Sequence, residues 1–136
     1  MDKKEIEEGA GFSPGFERRN GLLPVIVQSA RDRKILMLAY ANQTALSETM
    51  KTGLATFWST SRNELWRKGD TSGDRLKVVD ILVDCDQDAL IYLVEPSGDG
   101  ACHTKDPTTQ KARLSCFYRK LDFKTGKLAS VDSGLT

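Results

Sequence analysis

The chain is poor in the residues that staple or anchor a protein: three cysteines and a single histidine in 136 residues. Three thiols cannot all pair within one chain. With no export signal in view, they are expected to be reduced in a cytoplasmic protein. The opening Met1-Asp2-Lys3-Lys4-Glu5 is charged and leads into no apolar run, which is not the pattern of a secretory signal. No stretch approaches the ~20 apolar residues that span a bilayer. A dominant charge is missing too, since 20 Lys and Arg oppose 19 Asp and Glu. General attraction to nucleic acid or to a membrane is therefore not expected.

What is present suffices for one domain. At 39% apolar content, a chain of this length buries roughly two-thirds of its unfolded surface and needs no disulfides. Residues 1–15, with Gly9, Gly11, Pro14 and many charges, read as an arm ordered only in part. Residues 16–123 read as the folded domain, and 124–136 as a Gly/Ser-containing tail. Val25–Val27 and Lys34–Tyr40 have strand character, separated by Arg31-Asp32-Arg33. Asn42 and Gly53 bracket a helix over 43–52, with Ala45, Leu46, Thr49 and Met50 as its buried stripe. Further strands are expected at Ala55–Trp58, Leu65–Trp66, Leu76–Val83, Leu90–Val94 and Cys116–Leu121. Many strands and one main helix predict an α+β fold, a strand-rich roll or partly closed barrel rather than a doubly wound parallel sheet.

The scarce residues fall where chemistry could use them. Asp84, Cys85, Asp86 and Asp88 lie within five positions. Carboxylates suit hard cations such as Mg²⁺, and thiolates suit Zn²⁺. In an extended segment the three carboxylates would face one way and Cys85 the other. The bland alternative is turn chemistry, for which Asp is a common choice. A calcium loop is excluded, because Ala89 stands where that loop needs Gly and Leu90–Val94 is strand-like. Cys102 adjoins the sole histidine, His103. Cysteine spacing is no zinc-finger pattern, and any one cysteine could simply be a small buried residue. Their polar neighbours favour metal. Three thiolates would leave a tetrahedral Zn²⁺ one open position, which suits catalysis. Histidine is also the side-chain type whose ordinary pKa suits general-base work.

A third constellation runs Phe57-Trp58-Ser59-Thr60-Ser61-Arg62 and Leu65-Trp66-Arg67-Lys68-Gly69-Asp70-Thr71-Ser72-Gly73. Aromatic faces can stack on a base while cations and glycine-loop N–H groups hold phosphates. A hairpin with core tryptophans and a solvated basic turn is the plain alternative. The residues alone thus point to a zinc-dependent hydrolase of a phosphorylated, heterocyclic small molecule. A structural zinc protein binding nucleic acid through the Trp–Arg segment is the rival, and it would need a fourth protein ligand.

These segments, joined by Gly21–Gln28, Leu36–Asn42, Asp84–Leu90, Ala101-Cys102-His103-Thr104 and Ser115-Cys116-Phe117-Tyr118-Arg119, resemble in order the phosphoribosyl-AMP cyclohydrolase family of histidine biosynthesis. The resemblance covers about residues 16–120. It implies hydrolytic opening of the adenine ring of phosphoribosyl-AMP at the N1–C6 bond, in an intertwined homodimer. It further implies one Zn²⁺ per subunit, held by Cys85 of one chain with Cys102 and Cys116 of the other, and Mg²⁺ on Asp84, Asp86 and Asp88. Zinc would activate water for attack on C6, as in nucleobase deaminases, with His103 as the catalytic base. Residue chemistry assigns Trp66 to the purine and Arg62, Arg67 and Lys68 to substrate phosphates. Neither a nucleic-acid nor a membrane partner is expected.

Two departures from the family pattern stand out. The Cys102–Cys116 connection is longer, a change that costs little closure entropy. Asp70 and Asp74 stand where the family more often has Glu and Asn, which leaves open any role at Asp70. A second, pyrophosphohydrolase domain, fused to this activity in some proteins, is absent from the sequence, so a stand-alone enzyme is expected.

Overall fold

The computed structural model describes residues 2–98 and 100–131. Residues 132–136 of the expected tail lie outside them. Strand β1 (Leu23–Ser29) alternates buried and half-buried positions because its apolar Leu23, Val25 and Val27 repeat every second residue. It pairs antiparallel with β2 (Ile35–Ala41) and parallel with β6 (Leu90–Pro96). The edge strand β5 (Leu76–Val83) runs antiparallel to β6. The sheet order is β2-β1-β6-β5.

Helix α2 (Gln43–Thr52) forms as the sequence predicts, within one residue of its caps. The Asn42 side chain accepts the Ala45 N–H at 2.8 Å, and Gly53 closes the helix at a φ of 75°. Ala45, Leu46 and Thr49 are buried, but Met50 is 63% exposed. The stripe stops one residue short because α2 packs on β2 and β3 (Thr56–Ser59), and Met50 in the last turn lies over an open groove instead. Thr49 is tolerated inside because its hydroxyl is fully used. It accepts the Thr56 N–H at 3.0 Å and lies 3.0 Å from the Ala45 carbonyl it can donate to.

Phe57 and Tyr92 are fully buried and stacked, 5.8 Å apart, at the centre of the core with Leu23, Leu36, Leu76 and Leu90. Each such side chain contributes roughly 1.5–3 kcal/mol on leaving water. Strands β3 (Thr56–Ser59) and β4 (Glu64–Arg67) form a separate hairpin beside this core.

The α+β class stands, whereas the sheet does not close into a barrel. No ladder joins its edges β2 and β5: the chain entering the next hairpin touches β5 through a single bridge, Leu54 to Lys77, and the hairpin strands otherwise pair with each other. The strand expected at Cys116–Leu121 also differs. Ser115 and Cys116 fasten to the β2 backbone at Ile35 and Leu36 without extending the ladder. Only Arg119–Leu121 (β7) is extended, paired with β8 (Leu128–Ser130). The tail is thus partly a hairpin, its turn fixed by the Asp122 carboxylate, which accepts the Lys124 and Thr125 N–H groups at 2.8 and 3.1 Å. Those two bonds hold the Asp122 carboxyl below its ordinary range.

The N-terminal arm is more ordered than its composition suggests. Asp2 caps α1 (Lys3–Glu8), accepting the Glu5 N–H at 2.8 Å. Beyond it the chain is tied down by Gln87. That side chain donates to the carbonyls of Ile6 and Gly11 and accepts the Ser13 N–H at 2.6 Å.

Candidate active site

The acidic cluster sits in a turn between β5 and β6, not in an extended run. Asp84 turns the chain: its carbonyl accepts the Gln87 N–H at 3.1 Å, and its Oδ1 accepts the Asp88 and Ala89 N–H groups at 2.9 and 3.1 Å. Gln87 takes the left-handed region at a φ of 59°. Alternation therefore does not sort the side chains here. The turn gathers them instead, with oxygens of Asp84, Asp86 and Asp88 within 4.8 Å of one another.

Their charges are uneven in consequence. Asp88 is buried and accepts two bonds from the Arg19 guanidinium, at 2.6 and 3.0 Å, which hold its carboxyl below the usual range. Asp86, beside Asp88 and Asp84, is pushed above it, first through hydrogen bonding with Asp88. Carboxylates so placed fit a hard cation, which would relieve their repulsion. Arg18 adds a bond to the Asp86 carbonyl at 2.7 Å.

Cys102 and Cys116 meet on another part of the molecule. The segment at Ala101–Cys102 runs against Arg113–Leu114, with the Ala101 and Cys102 N–H groups donating to the Leu114 and Arg113 carbonyls, each at 3.1 Å. Gly100 is required at this close approach, because a Cβ there would collide with the Arg113 carbonyl. The long connection closes as a hairpin around Asp106, whose backbone N–H donates to the Lys111 carbonyl at 2.9 Å. Its extra residues project outward and leave the two cysteines together.

The two thiols perturb each other's ionisation in opposite directions. Burial and then the Cys102 charge push the Cys116 thiol up to about 11, with Lys68 opposing. For Cys102, burial acts upward, but Thr104, Cys116 and the Arg113 charge together hold it below its ordinary value. A soft divalent cation fits this donor pair, since it would keep both sulfurs ionised. Cys85 is exposed on the acidic turn, and among the described residues it joins no group of three potential ligands with the other two.

The hairpin residues gather around His103. A recess of about 360 Å³ is lined by Arg62, Trp66, Arg67, Lys68 and His103, among others. A second, of about 470 Å³, is lined by Tyr40, Trp58, Arg62, Trp66 and His103, among others. Arg62, Trp66 and His103 line both. Trp66 packs against Phe57 with centroids 5.4 Å apart, so the core fixes its ring. Arg62 pairs loosely with Glu64 at 3.5 Å, and Arg67 with Glu48 of α2 at 3.9 Å. Lys68, expected with Arg62 and Arg67 at the substrate phosphates, does not sit on the solvated turn of the plain alternative. It is 7% exposed, with its charge acting on Cys116. Gly69 follows at a φ of 86°, where a Cβ would meet the Arg75 backbone. Asp70 is half-exposed, 3.6 Å from Arg75.

Several residues of the site escaped sequence reasoning. Arg18 and Arg19 form an adjacent cation pair that complements the acidic turn, a signal of charge alone. Thr104 stands two residues after Cys102, a spacing at which a hydroxyl can reach back. Nothing local marks Arg113, Ser115 or Gln87.

The phosphoribosyl-AMP cyclohydrolase family model matches residues 37–118. Relatives bearing that same name include one from Brucella canis, 48% identical over 128 residues, covering 94% of this chain and 87% of the relative. Another, from Brucella anthropi, is 46% identical over 133 residues, covering 98% and 89%. A third, from Mesorhizobium japonicum, is 48% identical over 134 residues, covering 98% and 82%. The matched span contains the acidic turn, all three cysteines, His103 and the tryptophan–arginine hairpin. By both measures this chain belongs to the phosphoribosyl-AMP cyclohydrolase family.

Proposed function

We propose that the paired recesses beside the Cys102–Cys116 thiols are where the family's hydrolysis takes place. As a family member the chain is a hydrolase of a cyclic amidine, opening the adenine ring of phosphoribosyl-AMP at the N1–C6 bond in histidine biosynthesis. The observation that carries the reading is the position of His103. It follows a buried thiol in sequence and lines both recesses to which Trp66 also contributes.

Trp66 stacks on the purine, and the two recesses that share its side chain leave room for a substrate carrying two ribosyl phosphates. Arg62 and Arg67 bind the phosphates, and Lys68 offsets thiolate charge next to Cys116. His103 takes a proton from the attacking water and returns it to N1 as the bond to C6 breaks. Water adds across that bond, oxygen to C6 and hydrogen to N1, and no ammonia leaves.

Cys85 of one subunit with Cys102 and Cys116 of the other would hold Zn²⁺, one per subunit, and Asp84, Asp86 and Asp88 would hold Mg²⁺. Zinc when bound supplies the means of ionising water near neutral pH. The separation of Cys85 from the other two thiols within one chain supports sharing between two chains. So does an apolar row across the sheet, Leu38, Ile26, Ile91 and Leu82, each in register with the next. Leu38 and Leu82 are 46% and 45% exposed, an uncovered apolar face that a second copy would bury. Free thiols and a biosynthetic role favour the cytoplasm. No helix among the described residues is long and apolar enough to cross a membrane.

The test is the ultraviolet change on incubation with phosphoribosyl-AMP, with ammonia assayed in parallel. Ring opening without ammonia is expected, and it should stop when a strong chelator strips zinc. Ammonia release would mark a deaminase, and full activity in metal-free protein would exclude the zinc site.

A further inference from the structure

Thr104 and Arg113 flank the Cys102 thiol without belonging to any ligand set or substrate recess described above. The Thr104 Oγ1 lies 2.9 Å from Cys102 Sγ, and the Thr104 backbone N–H donates to the same sulfur at 3.4 Å. On its other side that hydroxyl accepts a hydrogen bond from Arg113 Nη1 at 2.9 Å. We propose that Arg113 and Thr104 form a directional relay that orients the Cys102 sulfur for zinc, a role that rests on the zinc reading above.

The direction follows from what each group can do. A guanidinium can only donate, and a thiolate can only accept. Thr104 stands between them with one proton and two lone pairs. One lone pair is taken by Arg113, which leaves the proton for sulfur. A hydroxyl with no donor behind it could rotate that proton to water. With Arg113 in place, the Thr104 O–H and N–H both point at Cys102, and the lone pair left on sulfur is fixed in direction.

Arg113 is itself held. Its guanidinium lies 4.0 Å from the centroid of the Tyr118 ring. Its N–H donates to the Thr104 carbonyl at 3.0 Å, and its carbonyl accepts the Cys102 N–H at 3.1 Å. The relay is therefore built on the same backbone pairing that brings Cys102 to Cys116. Thr104 and Arg113 are positioning residues, acting on the metal through sulfur.

Zinc affinity of the purified dimer, measured by competition with a chromophoric chelator, tests this. Thr104→Val should weaken zinc binding by roughly 10–100-fold, the usual scale for loss of an outer hydrogen bond to a ligand. Thr104→Ser keeps the hydroxyl and should stay close to wild type, which controls for folding. Arg113→Ala should weaken binding in the wild-type background but add almost nothing on top of Thr104→Val. In cobalt-loaded protein, Thr104→Val should move the thiolate-to-metal charge-transfer band to lower energy, since the sulfur lone pair is no longer lowered by the hydroxyl hydrogen bond. Unchanged affinity in Thr104→Val, or an Arg113→Ala effect that persists undiminished beside it, overturns the relay while leaving the zinc site standing. Wild-type protein that binds no zinc overturns both.

Discussion

Two inactive variants should repair each other if the site is shared. Cys85→Ser removes a thiol from the acidic turn, and Cys116→Ser removes one from the pair fastened to β2. Both residues are exposed at the surface, although the Cys116 sulfur itself is partly desolvated, so neither change opens a core cavity, and each variant should fold but turn over near background. In a mixed dimer, one site receives its Cys85 from the Cys116→Ser chain and its Cys102 and Cys116 from the Cys85→Ser chain. That site is complete, and the other lacks two thiols. Random pairing makes about half of all dimers mixed, each with half its sites intact, so about one quarter of wild-type activity should return. Co-expression with two affinity tags isolates the mixed species. There recovery should reach about one half, with roughly one tightly bound zinc per dimer rather than two. If mixing restores nothing, the three thiols do not meet across subunits, and the shared-zinc account fails however active the wild type is.

Other expectations follow from single contacts. His103→Ala should retain zinc but lower the rate by roughly 10²-fold or more, the scale of general-base loss; wild-type kinetics would remove that role. Ser115→Ala should cost about 1–3 kcal/mol in denaturant unfolding, because its buried hydroxyl bonds the Ile35 carbonyl at 2.7 Å and accepts the Phe117 N–H at 2.9 Å. Asp86→Asn should raise the melting temperature of metal-free protein at neutral pH. The Asp86 carboxyl is held above its ordinary range, so its contribution is most favourable below that range and is lost as pH rises through the raised value. The gain should shrink at acid pH and on adding Mg²⁺; an equal gain under all conditions would argue against carboxylate repulsion. Asp88 has the opposite sign. Its stabilisation is present above the ordinary carboxylate range and is lost as pH falls through the lowered value, and Arg19→Ala should remove that acid sensitivity in pH-dependent melts.

Legibility in the sequence tracks distance along the chain. Helix α2 and its ends are readable because Asn42 and Gly53 act on backbone within three or four residues. Strand β1 is readable because its burial alternates with the pleat, and β2, β5 and β6 because they are short runs rich in apolar residues bounded by polar turns. Closure is not, because whether β5 meets β2 depends on contacts that no local pattern encodes. The acidic turn shows both limits. Its carboxylates announce a cation site by composition, yet an extended reading misplaces them, because the turn depends on Gln87. That side chain's partners lie 74 to 81 residues away in the N-terminal segment. The same bonds explain why a glycine-bearing, charged arm is ordered from Ile6 to Ser13. Lys68 reads as a phosphate ligand, or in the plain alternative as part of a solvated turn, and only the fold reveals it turned inward.

The two groups of potential metal ligands share one electrostatic design. In each, like-charged groups are held close enough that one ionises easily at the expense of its neighbour: Asp88 against Asp86, and Cys102 against Cys116. A fold gains nothing from such crowding by itself, and perturbed pairs of this kind cluster where a protein binds or reacts. The chain supplies partial relief from its own cations, through Arg19 at the acidic turn and through Lys68 and Arg113 at the thiols. Partial relief is what a loadable site needs. Full neutralisation would leave no attraction for a divalent ion, and none would leave the apo fold strained. The acidic turn also carries Cys85, so if that thiol completes the proposed zinc site of a second subunit, filling the carboxylate site would fix the sulfur that zinc must find. Loading of the two metals should therefore be coupled: zinc affinity should rise when Mg²⁺ is present, and Asp86→Asn should weaken that dependence. Zinc titrations that are indifferent to Mg²⁺ would show that the turn holds Cys85 equally well without it.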